Sequence, residues 1–291
     1  MDLEHFYNRA YSRNRGLINE EEQQILKNTR VAIPGMGGMG GTHVATLARV
    51  GIGKYTIADF DQFDVHNINR QHGAMASTIN QDKALVMESI IKDINPSAEI
   101  KVINEAIGHN NVDLFLADAD IMIDALDVFA MDARRLIFKR ARELGIPVIS
   151  IAPVGFSTIL FVFSPTGMDY DSFFGFEDGM SNNEMVLRFM AGIAGQGPHL
   201  KYMNVKGIDP GTGSAPSLGL ACQMGAGIAV TELVSLVLNK RKPKFVPWFA
   251  QYDTFSQSYK HRYRWLGAKN PLHKVRIKMI KRMVPALAKS S

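Results

Sequence analysis

Gly35, Gly37, Gly38 and Gly40 stand in the run GMGGMGG, directly after the apolar residues Val31, Ala32 and Ile33, and Asp59 follows 19 residues after Gly40. A strand that ends in a glycine turn and opens a helix makes an anion site. Free backbone N–H groups and the helix dipole then point at one spot. Glycine suits the turn because it accepts positive φ and leaves the backbone bare enough for a phosphate to approach. An acid closing the next strand suits a ribose hydroxyl. This much would serve a dinucleotide. Further along come Asp61 in DFD, Asn69, Arg70 and Gln71 in NINRQ, Lys83 in QDK, and Asp124 and Asp127 in DALD; Arg13 lies upstream in YSR. An NAD-dependent oxidoreductase would use the glycines and Asp59 but leave Arg70, Lys83 and Asp127 idle. An enzyme that splits ATP between its α- and β-phosphates would use all three. Attack on Pα builds negative charge, and pyrophosphate leaves as a multiply charged anion. Fixed cations and a metal-bound carboxylate stabilise that charge in a water-poor cleft. Mg²⁺ takes one or two carboxylates plus phosphate oxygens, so Asp127 suffices as its protein anchor. Asp124 could share the metal or only cap a helix. His43 and His72 lie close by and receive no role.

These residues need a frame. Strand-like runs at 31–33, 54–58, 100–103, 121–123 and 147–151 alternate with helical patterns at 38–50, 83–94 and 133–144. Such alternation predicts a parallel sheet covered by helices on both faces, with ligands at the carboxyl ends of the strands. Residues 155–164 read as a buried strand, and β-like stretches recur near 245–252 and 256–265. Between them, 165–215 is rich in Gly, Pro, Asn and Met, with one short helical piece at 183–193; a connection of that length predicts a functional crossover loop. Residues 218–238 have the length of a membrane span. Gln223, Thr231, Glu232 and the many small residues point instead to a buried, closely packed helix, with no transmembrane segment.

Composition bounds the class. The chain has 291 residues, 46% apolar and 21% charged, as in an ordinary globular protein long enough for one large α/β domain. The lone cysteine, Cys222, excludes an internal disulfide and a CxxC zinc pair, which fits a reducing, cytoplasmic setting. The polar, charged N-terminus shows no secretory signal. The net charge of +5 is unevenly placed: residues 240–291 hold 14 Lys and Arg against one acid, Asp253. Residues 1–239 carry 19 basic and 27 acidic side chains, so the excess is local and suggests a partner. Leu272, Val275, Met279, Met283 and Leu287 recur at helical spacing in this basic tail, until Pro285 interrupts. The tail is either a solvated helix or a docking element for an acidic partner, an anionic membrane or RNA.

Taken together and in order, YSR, GxGGxG, DFD, NxxRQ, QxK and DxxD resemble the ubiquitin-activating-enzyme-like adenylyltransferases, the ThiF/MoeB/HesA superfamily. The resemblance covers residues 7–155 well and 215–265 loosely. It implies a Rossmann-like α/β fold, a mostly parallel sheet with helices on both faces, antiparallel C-terminal strands and a basic C-terminal tail. The organisation it implies is one adenylation domain over 1–268 and a tail over 269–291. It further implies a homodimer that binds ATP and Mg²⁺ and adenylates a carboxylate, usually the C-terminus of a small carrier protein or peptide. By motif match Gly35, Gly37, Gly38 and Gly40 would cradle phosphates and Asp59 would hold the ribose. Asp61 and Asn69 would line the pocket, Arg70 and Lys83 would bind phosphates, and Asp127 would hold Mg²⁺. Arg13 would reach the γ-phosphate of the other subunit. Val128 and Asp132 stand where many relatives have Asn and Arg, with Arg134 and Arg135 nearby, so substrate orientation departs from that of an ordinary Gly-Gly tail. Cys222 lies inside the apolar helix, so adenylation is expected without a thioester. A tRNA-modifying dehydratase of the same superfamily is the alternative that the basic tail favours.

Overall fold

The computed structural model describes residues 2–194, 197–204 and 215–284. Five strands, β1 (Arg30–Pro34), β2 (Lys54–Ala58), β3 (Glu99–Ile103), β4 (Ile121–Asp124) and β5 (Val148–Val154), run parallel. Then β6 (Ser157–Phe163), β7 (Trp248–Asp253) and β8 (Ser258–Tyr263) continue the same sheet antiparallel. The order is β3-β2-β1-β4-β5-β6-β7-β8. Connections leave β1 in one direction and β4 in the other, which opens a crevice above the carboxyl ends of those two strands. β1 and β4 are buried throughout, as strands covered on both faces must be.

One hydrophobic core lies on each face. On the first, α3 (Gly38–Val50), α4 (Lys83–Ile94) and α9 (Gly219–Val237) pack on the sheet around Ile33, Leu47, Ile57, Met87 and Leu233. On the second, α5 (Val112–Leu116), α6 (Met131–Glu143), α7 (Tyr170–Phe174) and α8 (Asn182–Ala194) pack around Phe115, Phe138, Phe161 and Phe173. Gly51 ends α3 in the left-handed conformation that glycine tolerates, φ +98°. Two N-terminal helices, α1 (Leu3–Ala10) and α2 (Glu20–Asn28), were not expected from periodicity; Asn19 and Glu22 close a capping box on α2.

α9 is long and apolar enough to cross a membrane by length and composition. It packs instead on α3, β5 and β6. A Cβ at Gly225 would lie 2.8 Å from Ile151 Cγ2 and from Met39 Cε, so the small residues do allow a close approach. The opposite stripe of the helix, with Leu220, Gln223, Gly227 and Thr231, is exposed.

The described part of the crossover segment holds helices as well as loop. Phe173, Phe174, Val186 and Leu187 of α7 and α8 are buried in the second core, and a 3-10 turn follows at Pro198–Lys201. Residues 195–196 and 205–214 of this segment lie outside the described residues. The basic tail forms α10 (Pro271–Met283), which buries His273 and Ile280 and packs on α8. Asn270 caps it by accepting from Leu272 N, and Pro271 takes the first helical position. Residues 285–291, with Pro285 and Leu287, are outside the described residues.

Candidate nucleotide site

The glycine turn joins β1 to α3 at the crevice. Gly35 has φ +88°, and a Cβ there would lie 2.7 Å from Ala125 O. At Gly40 a Cβ would fall 1.7 Å from Gly35 O, so no side chain fits. Gly37 caps α3 with no side-chain hydrogen bond, which leaves the first N–H groups of the helix for a ligand. Asp59, just past β2, accepts from Met36 N with one oxygen and from Asp61 N with the other, the latter at 2.8 Å. It thereby ties the turn to the next strand. Burial raises its pKa against the lowering effect of those two bonds.

Lys83 is the first residue of α4, 7% exposed, and its Nζ pairs with Asp61 Oδ2 at 3.0 Å. Residues around 61–63 zip onto 80–83 through Lys83 N to Asp61 O and Phe63 N to Gln81 O, which sets that pair beside the turn. Arg70 runs past Gly38, whose missing Cβ would be 3.5 Å from its Cγ, and donates to Asn69 Oδ1 at 2.9 Å. Asn69 in turn donates to Ser217 O at 3.0 Å, stitching this segment to the approach of α9.

The two strand-end acids separate. Asp124 is 3% exposed and holds Arg134 Nε at 3.1 Å and Ser150 Oγ at 2.8 Å. It is a buried structural anchor rather than a free metal ligand. Asp127 is exposed; one oxygen accepts from Phe129 N at 2.9 Å, and the other has no partner among the described residues. Among the described residues no cluster of three or more His, Cys, Asp or Glu could hold a metal unaided. A lone carboxylate beside a phosphate cradle suits Mg²⁺ shared with phosphate oxygens. Arg135 is drawn off by Asp171 and Asp178.

Arg13 does not join this group. It is exposed in the 3-10 turn Ser12–Asn14, with no partner among the described residues. Tyr11 OH to Ala48 O at 2.7 Å and Asn14 Nδ2 to Val50 O at 3.2 Å pin that turn to the end of α3. That is roughly 15–18 Å of helix rise from the glycine turn. Cys222 is 1% exposed, its thiol 3.1 Å from where a Gly38 Cβ would be, and burial raises its pKa. Farther along the carboxyl edge, Ser157 and Tyr202 both donate to Asp253, while Gln251 meets His199 Nδ1 at 2.9 Å. Periodicity gave no sign of that cluster, because its members are 96 residues apart at the extremes.

Known proteins resemble this chain in sequence and in fold. The chain is 35% identical over 141 residues to the tRNA threonylcarbamoyladenosine dehydratase of Bacillus subtilis, covering 48% of this chain and 55% of that one. It is 27% identical over 157 residues to the SAMP-activating enzyme E1 of Haloferax volcanii, covering 54% and 57%. The chain thus spans about half the length of the curated relatives it matches. E. coli MccB, solved with ATP and again with AMPCPP and MccA, superposes with a TM-score of 0.65 at 17% identity over 90% of this chain and 73% of that one. That likeness concerns the fold. The ThiF family profile matches residues 11–275, nearly the whole length over which the motifs and the sheet extend, and the chain belongs to the ThiF family.

Proposed function

We propose that this chain is an ATP-dependent adenylating enzyme that converts a carboxylate to an acyl-adenylate. The observation that carries the reading is the convergence of the glycine turn, Asp59, the Lys83–Asp61 pair, Arg70 and the half-free Asp127 around the β1/β4 crevice. A carboxylate oxygen attacks Pα, the bond from Pα to the bridging oxygen breaks, and its electron pair leaves on pyrophosphate. The N–H groups opening α3, with Arg70 and Lys83, offset the charge that develops. Lys83 would exchange Asp61 for phosphate oxygens as ATP enters. Asp59 and Asn69 would hold the nucleoside. Asp127 would anchor Mg²⁺, which neutralises the phosphates when bound. Arg13, held at the far end of α3, would serve the site of a second copy in a homodimer. The exposed stripe of α9 is a surface such a dimer could cover. Buried Cys222 supports turnover without a thioester, and a single reduced cysteine fits the cytoplasm.

The substrate we favour is the C-terminal carboxylate of a small carrier protein or peptide, in keeping with the MccB and SAMP-activating relatives. A carboxylate on a tRNA nucleoside is the second reading, favoured by the 35% identity to the dehydratase. Thermal unfolding with ATP and Mg²⁺, with ATP and EDTA, and with NAD tests the class. A ligand at a hundred times its Kd adds about 2.7 kcal/mol. ATP should do so, less with EDTA or in Asp127→Ala; stabilisation by NAD alone would overturn the reading. Pyrophosphate release with peptide against tRNA then separates the two substrates.

A further inference from the structure

Among the described residues, the hairpin of β7 and β8 leaves part of one face uncovered. Leu160, Val162 and Ala250 on that face belong to the core under α9, but the helix packs on β5 and β6. Strand register sets Trp248 beside Tyr263, Ala250 beside His261, and Tyr252 beside Tyr259. Alternation turns all six to the same side, so the face carries a ladder of five rings. Tyr252 and Tyr259 stack with centroids 4.4 Å apart and planes 24° apart. Tyr259 meets His261 at 4.9 Å, and Trp248 meets Tyr263 at 4.9 Å. Tyr259 is 56% and Tyr263 53% exposed. Rings gathered on a surface forgo burial, and such patches mark contact sites.

Cations border the ladder. Arg241, Lys242 and Lys244 follow α9 and, with Tyr252, Tyr259 and His261, line a groove of about 320 Å³. The acid in the groove, Glu232, is buried and paired with Arg241. Lys242 and Lys244 have no carboxylate partner among the described residues, and Lys244 Nζ sits 5.4 Å from the Trp248 ring. None of the nucleotide-crevice residues lines this groove.

We propose that this groove binds an unpaired stretch of RNA, its bases stacking on the Tyr252–Tyr259–His261 ladder and its phosphates meeting Lys242 and Lys244. Every base has a π-face, so stacking on rings beside a cationic rim is how single strands are held. An acidic peptide would use the lysines but not the rings. A second copy would set the same cationic rim against itself. The inference stands apart from adenylation, because it uses none of the same side chains.

The test is fluorescence anisotropy of the full chain with a labelled single-stranded RNA of about 12 nucleotides across a salt series. Tyr259→Ala should weaken binding roughly 5- to 100-fold with the unfolding midpoint unchanged. Lys242→Ala and Lys244→Ala should each reduce the log–log salt slope by about 0.7. Lys139→Ala, which removes the same charge from α6, should change neither. Equal loss in Lys139→Ala with none in Tyr259→Ala would reduce the effect to diffuse attraction and overturn the proposal. Equal competition by duplex RNA or polyglutamate would overturn it too. So would loss of self-association in Tyr259→Ala without any RNA binding, which would give the face to a second copy.

Discussion

Arg134 Nε and Ser150 Oγ close on Asp124 from two sides at 3.1 and 2.8 Å, in a pocket where both charged partners are under 5% exposed. Removing one partner of a buried pair strands the other charge, at a cost of about 3–5 kcal/mol. Asp124→Asn should therefore lower the unfolding free energy by about that much in urea titrations. Asp127, three residues on, is exposed and holds one backbone N–H. Asp127→Ala should change ligand-free stability by under ~1 kcal/mol, yet weaken the added stability from ATP and Mg²⁺. Equal losses in both variants would show that the two acids share one structural task. The sequence put Asp127 forward as the metal anchor and left Asp124 open between sharing the metal and capping a helix. The approach of α6, carrying Arg134, and of β5, carrying Ser150, decided that Asp124 is a structural anchor.

At the scale of elements, glycines decide how closely α3 and α9 approach the sheet. A Cβ at Gly40 would meet the Gly35 carbonyl, backbone against backbone, with no flexible group to yield. Gly40→Ala should push α3 off β1 and cost at least ~3 kcal/mol, read as a lower urea midpoint or failure to fold. Gly227 on α9 has open space around it. Gly227→Ala should gain up to ~1 kcal/mol from helix propensity in a monomer. Destabilisation there, seen together with a change in oligomeric state, would mean a second copy covers that stripe. α3 and β2 were legible from the glycine turn and the short apolar run that mark them, and α4 from apolar residues at helical spacing that stop before Asn95 and Pro96. α7 spans five residues, too few for a period to declare itself.

Acid should destabilise the whole molecule through histidines buried in three separate places. Burial lowers the pKa of His43 to about 3 and those of His199 and His273 to about 4. Their unfolded pKa is near 6.5. Below that value the unfolded chain takes up protons that the native fold refuses, so stability is full above about pH 6.5 and falls toward pH 4. Each histidine contributes a slope of up to ~1.4 kcal/mol per pH unit in that window. Urea unfolding at about pH 7, 6 and 5 should show the fall, and His43→Leu should make it shallower. A second whole-molecule prediction concerns Arg13, which its own α3 holds away from its own glycine turn. Mixing Arg13→Ala with Asp127→Ala chains should restore about a quarter of wild-type pyrophosphate release, since half the dimers then carry one intact site. No recovery would place Arg13 outside the reaction.

The sequence by itself determined the family, the strand–turn–helix at Gly35–Gly40, the parallel strands of the first half and the local excess of positive charge. Each depends on residues close together in the chain or on motifs in fixed order, where steric and periodic rules act directly. Tertiary structure decided what depends on distant pairings. It turned Asp124 inward, drew Arg135 to Asp171, moved Arg13 to the far end of α3 and folded part of the crossover segment into the core. It also aligned five rings from β7 and β8 on one face beside Lys242 and Lys244. Alternation along either strand alone could not reveal that ladder, because strand register exists only once the two strands have paired.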